Sequence, residues 1–370
     1  MLPGLVGYSV NEPVELVVVY HPATPDRTEA IANGDDSPVP YLRDSALLLQ
    51  QMGASHVVYA CNTAHHFLPR LPPLRIPIVD MIDAAVEAAA ESGISSVGLL
   101  ATTGTVDAEL YQRALGRKRI EVVLLSPDEQ ERLVMEAIYG AHGVKAGVAT
   151  GIGVGVGVGA GSATQLVDDA ARRLVARGAE GIILGCTELP LVMKGTCLEL
   201  DGRTIVLIDP ADAVARRMRA MGGSHGIAGG MGPEATVAFL ELMHAPVDFV
   251  QLQRDIVRAT IDELGAARDQ EHLGILCIAS RDPVDAARRL ARAGADFLVM
   301  TPGAASFCHQ AEAATRLPVL APGDGHDQSR RLAREVVLRA ARRQAAATAG
   351  HADRAYWGRL ARANAPSTLS

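Results

Sequence analysis

A chain of 370 residues exceeds a usual single domain, so it is expected to fold as two or three globular units with ample material for a buried core. A formal net charge of −7 and an aromatic content of only 4% argue against nucleic acid as a partner. Five widely spaced cysteines, with no CxxC pair and no secretory leader, read as reduced thiols of a cytoplasmic protein. The long uncharged stretch 146–163 alternates glycine and valine without the leucine-rich character of a spanning helix, so no membrane is expected.

Residues 14–20 form the first strand-like run, nearly continuous in valine as a strand buried on both faces is. It ends in the loop His21-Pro22-Ala23-Thr24-Pro25-Asp26-Arg27-Thr28. A helical pattern then runs through Tyr41 and Leu42 to Met52, with Gly53 as its C-cap, and a strand over 56–60 leads into Cys61-Asn62-Thr63-Ala64-His65. Strand, helix, strand implies a parallel sheet with a right-handed crossover. The next strand, 97–100, stops at Ala101-Thr102-Thr103-Gly104-Thr105, and a helix over 106–115 and a strand over 122–125 follow. Ser126-Pro127-Asp128-Glu129 supplies a serine cap and an acidic first turn for a helix reaching about Tyr139. Another helix covers 163–177, and the strand 181–184 runs into Gly185-Cys186-Thr187-Glu188-Leu189. A short strand over 203–208 and a helix opened by Asp209-Pro210 complete this part.

Within the glycine-valine stretch, Gly155, Gly157 and Ala160 satisfy GxGxxA. A phosphate loop follows a strand, whereas this segment lies between two helical patterns, so it reads as a low-complexity insertion.

A second unit begins at Gly222-Gly223-Ser224. A strand over 225–228 runs into Gly229-Gly230-Met231-Gly232-Pro233-Glu234, whose glycines expose backbone N–H groups ahead of a helix, suiting a carboxylate or phosphate; an ordinary strand-to-helix turn is the competing reading. Strand 274–279, helix 284–292 and strand 296–300 echo the first unit: residues 288–300 align without a gap on 47–59. Where the first copy has Cys61-Asn62-Thr63-Ala64-His65, the second has Pro302-Gly303-Ala304-Ala305-Ser306, so it lacks the thiol. The alanine- and arginine-rich tail, with Leu332, Val336, Val337 and Leu338 at helical spacing, reads as a solvated amphipathic helix.

Cys61 and Cys186 each stand where an apolar strand ends and small polar residues begin, the place where open α/β sheets hold ligands. Moving a proton from one face of a carbon beside a carboxylate to the other needs a base and an acid on opposite sides. Thiols, with an ordinary pKa of about 8.5, can serve as both. Two buried structural cysteines are the plain alternative, and a Cys-His-acid hydrolase using His65 leaves the second thiol without a role.

The segments Ala60-Cys61-Asn62-Thr63-Ala64-His65, Leu99-Leu100-Ala101-Thr102-Thr103-Gly104-Thr105 and Gly185-Cys186-Thr187-Glu188 resemble the signatures of the cofactor-independent aspartate/glutamate racemase family. So do Pro25-Asp26-Arg27-Thr28, Lys145-Ala146-Gly147, Ile208-Asp209-Pro210 and Gly229-Gly230-Met231-Gly232-Pro233. The resemblance covers about 14–220 and implies two similar parallel-sheet α/β lobes with an acidic amino acid between them, and no pyridoxal phosphate or metal. It implies Cys61 and Cys186 as the two bases, and Asn62, Thr63, Thr103 and Thr187 as holders of the α-carboxylate and amino group. It places Arg27 and Lys145 on carboxylates and Glu188, Met231 and Gly232 beside the substrate. Glu188, where cell-wall glutamate racemases carry histidine, makes the chain resemble the aspartate or broad-specificity branch. Hydantoin racemases, maleate isomerases and arylmalonate decarboxylases share the scaffold, so those reactions are alternatives.

The expected organisation is a racemase-like unit over 1–221, with lobe one from 14–84 plus 205–221 and lobe two from 85–204. A degenerate α/β half-repeat over 222–325 and a helical tail over 326–370 follow. The departure from the family is one of order, because the Gly-Gly-Met-Gly-Pro loop comes after the first unit has ended. One reading has the strand at 225–228 and its loop fill the missing strand position of the first unit. The rival makes 222–370 an inactive half-copy used for dimerisation or regulation, with a homodimer left open and the first unit a binding protein or an impaired enzyme.

Overall fold

The computed structural model of the chain describes residues 3–8, 15–146, 159–264, 275–321 and 326–347. Among them, seven strands form one sheet and five another. In chain order the strands are β1 Pro3–Tyr8, β2 Glu15–Tyr20, β3 His56–Tyr59, β4 Ser96–Ala101, β5 Glu121–Val123, β6 Gly181–Gly185, β7 Cys197–Leu200, β8 Arg203–Ile208, β9 Ser224–Gly229, β10 Ile275–Ser280, β11 Phe297–Met300 and β12 Val319–Leu320. The larger sheet runs β12-β11-β1-β10-β2-β9-β3 and the smaller β5-β4-β6-β8-β7.

The strand ladders follow from burial. Leu16, Val17, Val18, Val19 and Tyr20 are all buried, as a valine-rich strand with helices on both faces should be. Alternate residues serve opposite layers. Leu16, Val18 and Tyr20 pack with helices Pro210–Met221, Pro233–Leu242, Val247–Leu264 and His326–Ala347. Val17 and Val19 pack with Val39–Gln51 and Pro283–Arg292. The smaller sheet is likewise covered on both faces, by Gly159–Ala176 on one and by Leu110–Arg117 on the other.

β9 pairs in parallel with β2 on one side and β3 on the other. The strand that follows the first unit in sequence therefore occupies the position that the first unit lacks. Two further strands of the half-repeat, β10 and β11, enclose β1 in the same sheet, giving a second trio, β10-β1-β11, beside β2-β9-β3, with β12 at its outer edge. The two trios meet where β10 lies antiparallel to β2, with Leu276 opposite Val19 and Ala279 opposite Leu16. Arg289 ties this seam: its guanidinium donates to Glu15 Oε2 at 2.8 Å and to the carbonyl of Met52.

Several expectations are corrected. β1 lies in a segment that carries little strand signal; Gly4 and Gly7 give it room, because a Cβ on Gly7 would stand 2.4 Å from the Phe249 ring. Residues 203–208 belong to the smaller sheet as β8, paired in parallel with β6, while the following helix Pro210–Met221 packs on the larger one. The half-repeat is merged into the first sheet rather than set apart, and one antiparallel pairing makes that sheet mixed. The glycine-valine stretch up to residue 158 and the tail beyond 347 lie outside the described residues. No helix among the described residues is long and apolar enough to cross a membrane.

Candidate active site

One cavity, about 300 Å³ counting the space at its mouth, is lined by residues from both sheets. Arg27, Ala60, Cys61, Asn62, Thr63, Met231 and Gly232 come from the ends of β2, β3 and β9. Thr102, Tyr139, Lys145, Cys186, Thr187 and Glu188 come from the smaller sheet and its connections.

Cys61 follows β3 and opens a 3₁₀ turn, Thr63–His66. Asn62 behind it is buried, and its Oδ1 accepts a hydrogen bond from the Tyr111 hydroxyl at 2.6 Å, which leaves the amide nitrogen as a donor with no protein partner. Thr63 Oγ1 lies 3.0 Å from Thr102 Oγ1 and 2.9 Å from Thr105 Oγ1, a buried hydroxyl cluster joining the two sheets. His65 is spent on the backbone. Its Nδ1 lies 3.0 Å from the Cys61 carbonyl, so it donates there, and Nε2 accepts from the Met81 amide at 3.1 Å. That tautomer pins the Cys61 turn to the helix Met81–Glu91 and leaves no nitrogen to act as a base toward the thiol, which disfavours the hydrolase reading.

Arg27 opens the helix Arg27–Asn33, capped by Asp26, whose carboxylate accepts from the Thr28 and Glu29 amides. It is buried and donates to the carbonyls of Thr24 at 3.2 Å, Pro25 at 3.0 Å and Met231 at 3.1 Å. Burial opposes its charge, but the neighbouring Cys61 sulfur and Asp26 outweigh it and hold the guanidinium above its ordinary range. Lys145 donates to the Tyr139 hydroxyl at 3.0 Å, and that hydroxyl donates to Asp26 Oδ2 at 3.0 Å. Burial again opposes the ammonium, and Tyr139, Glu188 and Asp26 more than offset it, so Lys145 stays cationic. Two cations thus stand in one cavity, among polar side chains from both sheets.

Cys186, at the end of β6, is buried, and its Sγ donates to Glu188 Oε2 at 2.9 Å. Burial pushes this thiol well up, and the adjacent carboxylate pushes it further, against the pull of Lys145. Cys186 therefore holds its proton.

The structure brings together ten of the residues expected from sequence: Cys61, Cys186, Arg27, Asn62, Thr63, Lys145, Thr187, Glu188, Met231 and Gly232. Thr103 is the correction. It is the first residue of the helix Thr103–Asp107, its hydroxyl donates to Glu131 Oε1 at 2.8 Å, and it does not line the cavity. Thr102, in the extended conformation just before that helix, takes the place facing the site. Tyr139 and the supporting Tyr111 were not expected; nothing local marks either, because each reaches the site from a different helix. Among the described residues, no group of three or more His, Cys, Asp or Glu is placed to hold a metal ion.

The chain is similar to several curated proteins. The "uncharacterized protein in pnlA 3′ region" of Pectobacterium carotovorum subsp. carotovorum is 36% identical over 121 residues, 32% of this chain and 70% of that protein. The glutamate racemase of Ectopseudomonas mendocina (strain ymp) is 30% identical over 195 residues, 50% of this chain and 66% of that enzyme. The chain thus spans about two thirds of the length of these relatives. A solved structure, the Picrophilus torridus aspartate racemase, is 19% identical with a TM-score of 0.43, covering 59% of this chain and 93% of the other, a likeness too low to bear on the assignment. The family model described as Asp/Glu/Hydantoin racemase matches residues 5–218, more than half of the chain, and the chain belongs to that family.

Proposed function

We propose that this chain is an amino-acid racemase that interconverts L- and D-aspartate, with glutamate as the second candidate, by proton transfer between Cys61, the substrate α-carbon and Cys186. One observation carries the reading: thiols borne by two different sheets line one cavity together with Arg27 and Lys145. Since Cys186 is the thiol that keeps its proton, the complementary role of base falls to Cys61.

In the step, the Cys61 thiolate takes the α-proton; the Cα–H bond breaks and an S–H bond forms. The carbanion then takes the Cys186 proton on its opposite face, leaving Cys186 as thiolate. Negative charge develops on the α-carboxylate oxygens, where the Asn62 amide nitrogen is the available fixed donor and the Thr63 and Thr187 hydroxyls line the same cavity. Arg27 and Lys145 are assigned to the carboxylates of an acidic substrate. Aspartate is placed first because Glu188 follows the second Cys-Thr. The scheme calls on no pyridoxal phosphate or metal.

The test is α-proton exchange of L- and D-aspartate and of L- and D-glutamate in deuterated water, with the full chain and with Cys61→Ala and Cys186→Ala. Each variant is expected to lose racemisation. Racemisation surviving either substitution removes that cysteine from the scheme, and a wild-type chain that racemises none of the four removes the substrate class.

A further inference from the structure

Glu188 is ill suited to meet a substrate carboxylate, because like charges at close range repel. Its own contacts give it another task. The residue is buried, and Oε2 accepts from Cys186 Sγ at 2.9 Å and from Thr187 Oγ1 at 3.2 Å. The other oxygen, Oε1, lies against the main chain of Gly232: a Cβ there would stand 2.2 Å from it. Gly232 has φ −149°, extended backbone open to any residue, so a side chain there would strain no backbone and would instead displace the Glu188 carboxylate. The seat of the carboxylate is thus supplied by a loop 44 positions further along the chain.

We propose that Glu188 is a positioning residue that keeps the Cys186 thiol as a hydrogen-bond donor and reserves it as the proton donor of the resting site, and that Gly232 is the seat that holds the carboxylate in this pose. Its catalytic meaning rests on the racemase reading above. When Cys186 gives its proton to the carbanion, the S–H bond breaks, a C–H bond forms, and the sulfur is left as a thiolate beside a carboxylate. That repulsion favours the return of a proton to Cys186 from solvent water, while Cys61 gives up the proton it took. The other charged or titratable groups that face this thiol are Lys145, Tyr111 and Tyr139 and, on the opposite wall, Arg27 and Cys61. Lys145 pulls the other way, so beyond burial it is Glu188 that offsets that pull and holds the resting proton.

The test reads thiol ionisation directly. In the full chain, alkylation of Cys186 by iodoacetamide is followed across pH by mass spectrometry of its peptide, for wild type, Glu188→Gln, Glu188→Ala, Gly232→Ala and the double variant Gly232→Ala with Glu188→Ala. Glu188→Gln is expected to move the alkylation midpoint down by at least one pH unit, about tenfold more thiolate at a given pH on the acid limb. Gly232→Ala is expected to shift it in the same direction, and the double variant to behave as Glu188→Ala alone. An unmoved Cys186 midpoint in Glu188→Gln overturns the proposal. Should Gly232→Ala lose its cooperative melt, Glu188→Gln still decides. Where racemisation is observed, its basic limb moves down with the alkylation midpoint. A chain that racemises nothing yet shows the shift keeps the Glu188–Cys186 pair and loses the proposed reaction.

Discussion

The guanidinium of Arg27 donates a hydrogen bond to the carbonyl of Met231 at 3.1 Å, joining two residues that lie 204 positions apart. Arg27 opens the helix after β2, and Met231 follows β9, so the wall of the cavity is built from segments far apart in the chain. The same is true of the sheet beneath it. A chain ending at Met221 would lose β9 from between β2 and β3 and β10 from the other side of β2, leaving buried valines and both edges of β2 bare. We expect that product to be insoluble or to lack a cooperative thermal transition, and to have no racemase activity. A soluble, fully active fragment would sink this topology.

Tyr111 is fully buried and donates to Asn62 Oδ1 at 2.6 Å. Tyr111→Phe leaves a buried acceptor without its donor, at a cost of about 1–3 kcal/mol, and frees Asn62 to turn away from the cavity. Urea unfolding should show that loss, and racemisation should fall by about tenfold or more if Asn62 stabilises developing charge, an effect of about 1.4 kcal/mol. Tyr59→Phe is the control. Its hydroxyl donates to the Leu42 carbonyl at 2.9 Å, away from the cavity, so stability should fall with kcat/KM little changed.

Acid should weaken the fold through buried imidazoles. Burial lowers His21 to about 4; burial, and then the neighbouring His56, lower His225 to about 4. His56 and His225 share a hydrogen bond across the β3–β9 ladder, which one proton can satisfy and two cannot. The unfolded chain binds these protons near the ordinary value of about 6.5 and the folded chain only near 4. Their contribution is therefore present above pH 6.5 and is lost as pH falls through 4, with an expected size of about 3 kcal/mol for His21 by linkage. Asp209 opposes this, since burial raises its carboxyl to about 6, and a raised acid favours the folded state as pH falls. Two imidazoles outweigh one carboxyl. The urea midpoint should drop between pH 7 and pH 5, and His225→Gln should flatten that drop; a wild-type midpoint flat across this range contradicts the neutral buried pair.

Much of the fold can be read locally because burial is written in the pattern. The valines of β2, the Gly53 turn and the Ser126 and Asp209 caps follow from short-range chemistry. The helix Val247–Leu264 and the strand β1 did not stand out. The helix has a mixed composition that acquires a face only against the sheet, and β1 is a strand because Phe249 and Leu290 close over its glycines. At the site, the choice between Thr102 and Thr103 turned on where a helix starts. The residue just before the helix is extended and faces the cavity; the first residue within it meets Glu131.

By itself the sequence determined that two thiols sit at strand ends, each followed by polar residues and amides, with Arg27 and Lys145 as candidate cations and a glycine loop out of order. The thiols at strand ends are local statements about periodicity and residue type, whereas the cation roles of Arg27 and Lys145 and the displaced order of the loop come from the family resemblance. Tertiary structure decided which strand stands beside which, that β9 fills the gap between β2 and β3, that the trios meet antiparallel, and that Glu188 turns to Cys186 over Gly232. The reason is physical: a strand's neighbours and a buried carboxylate's partner are chosen by packing and hydrogen-bond satisfaction among segments far apart in the chain, and no local pattern encodes that choice.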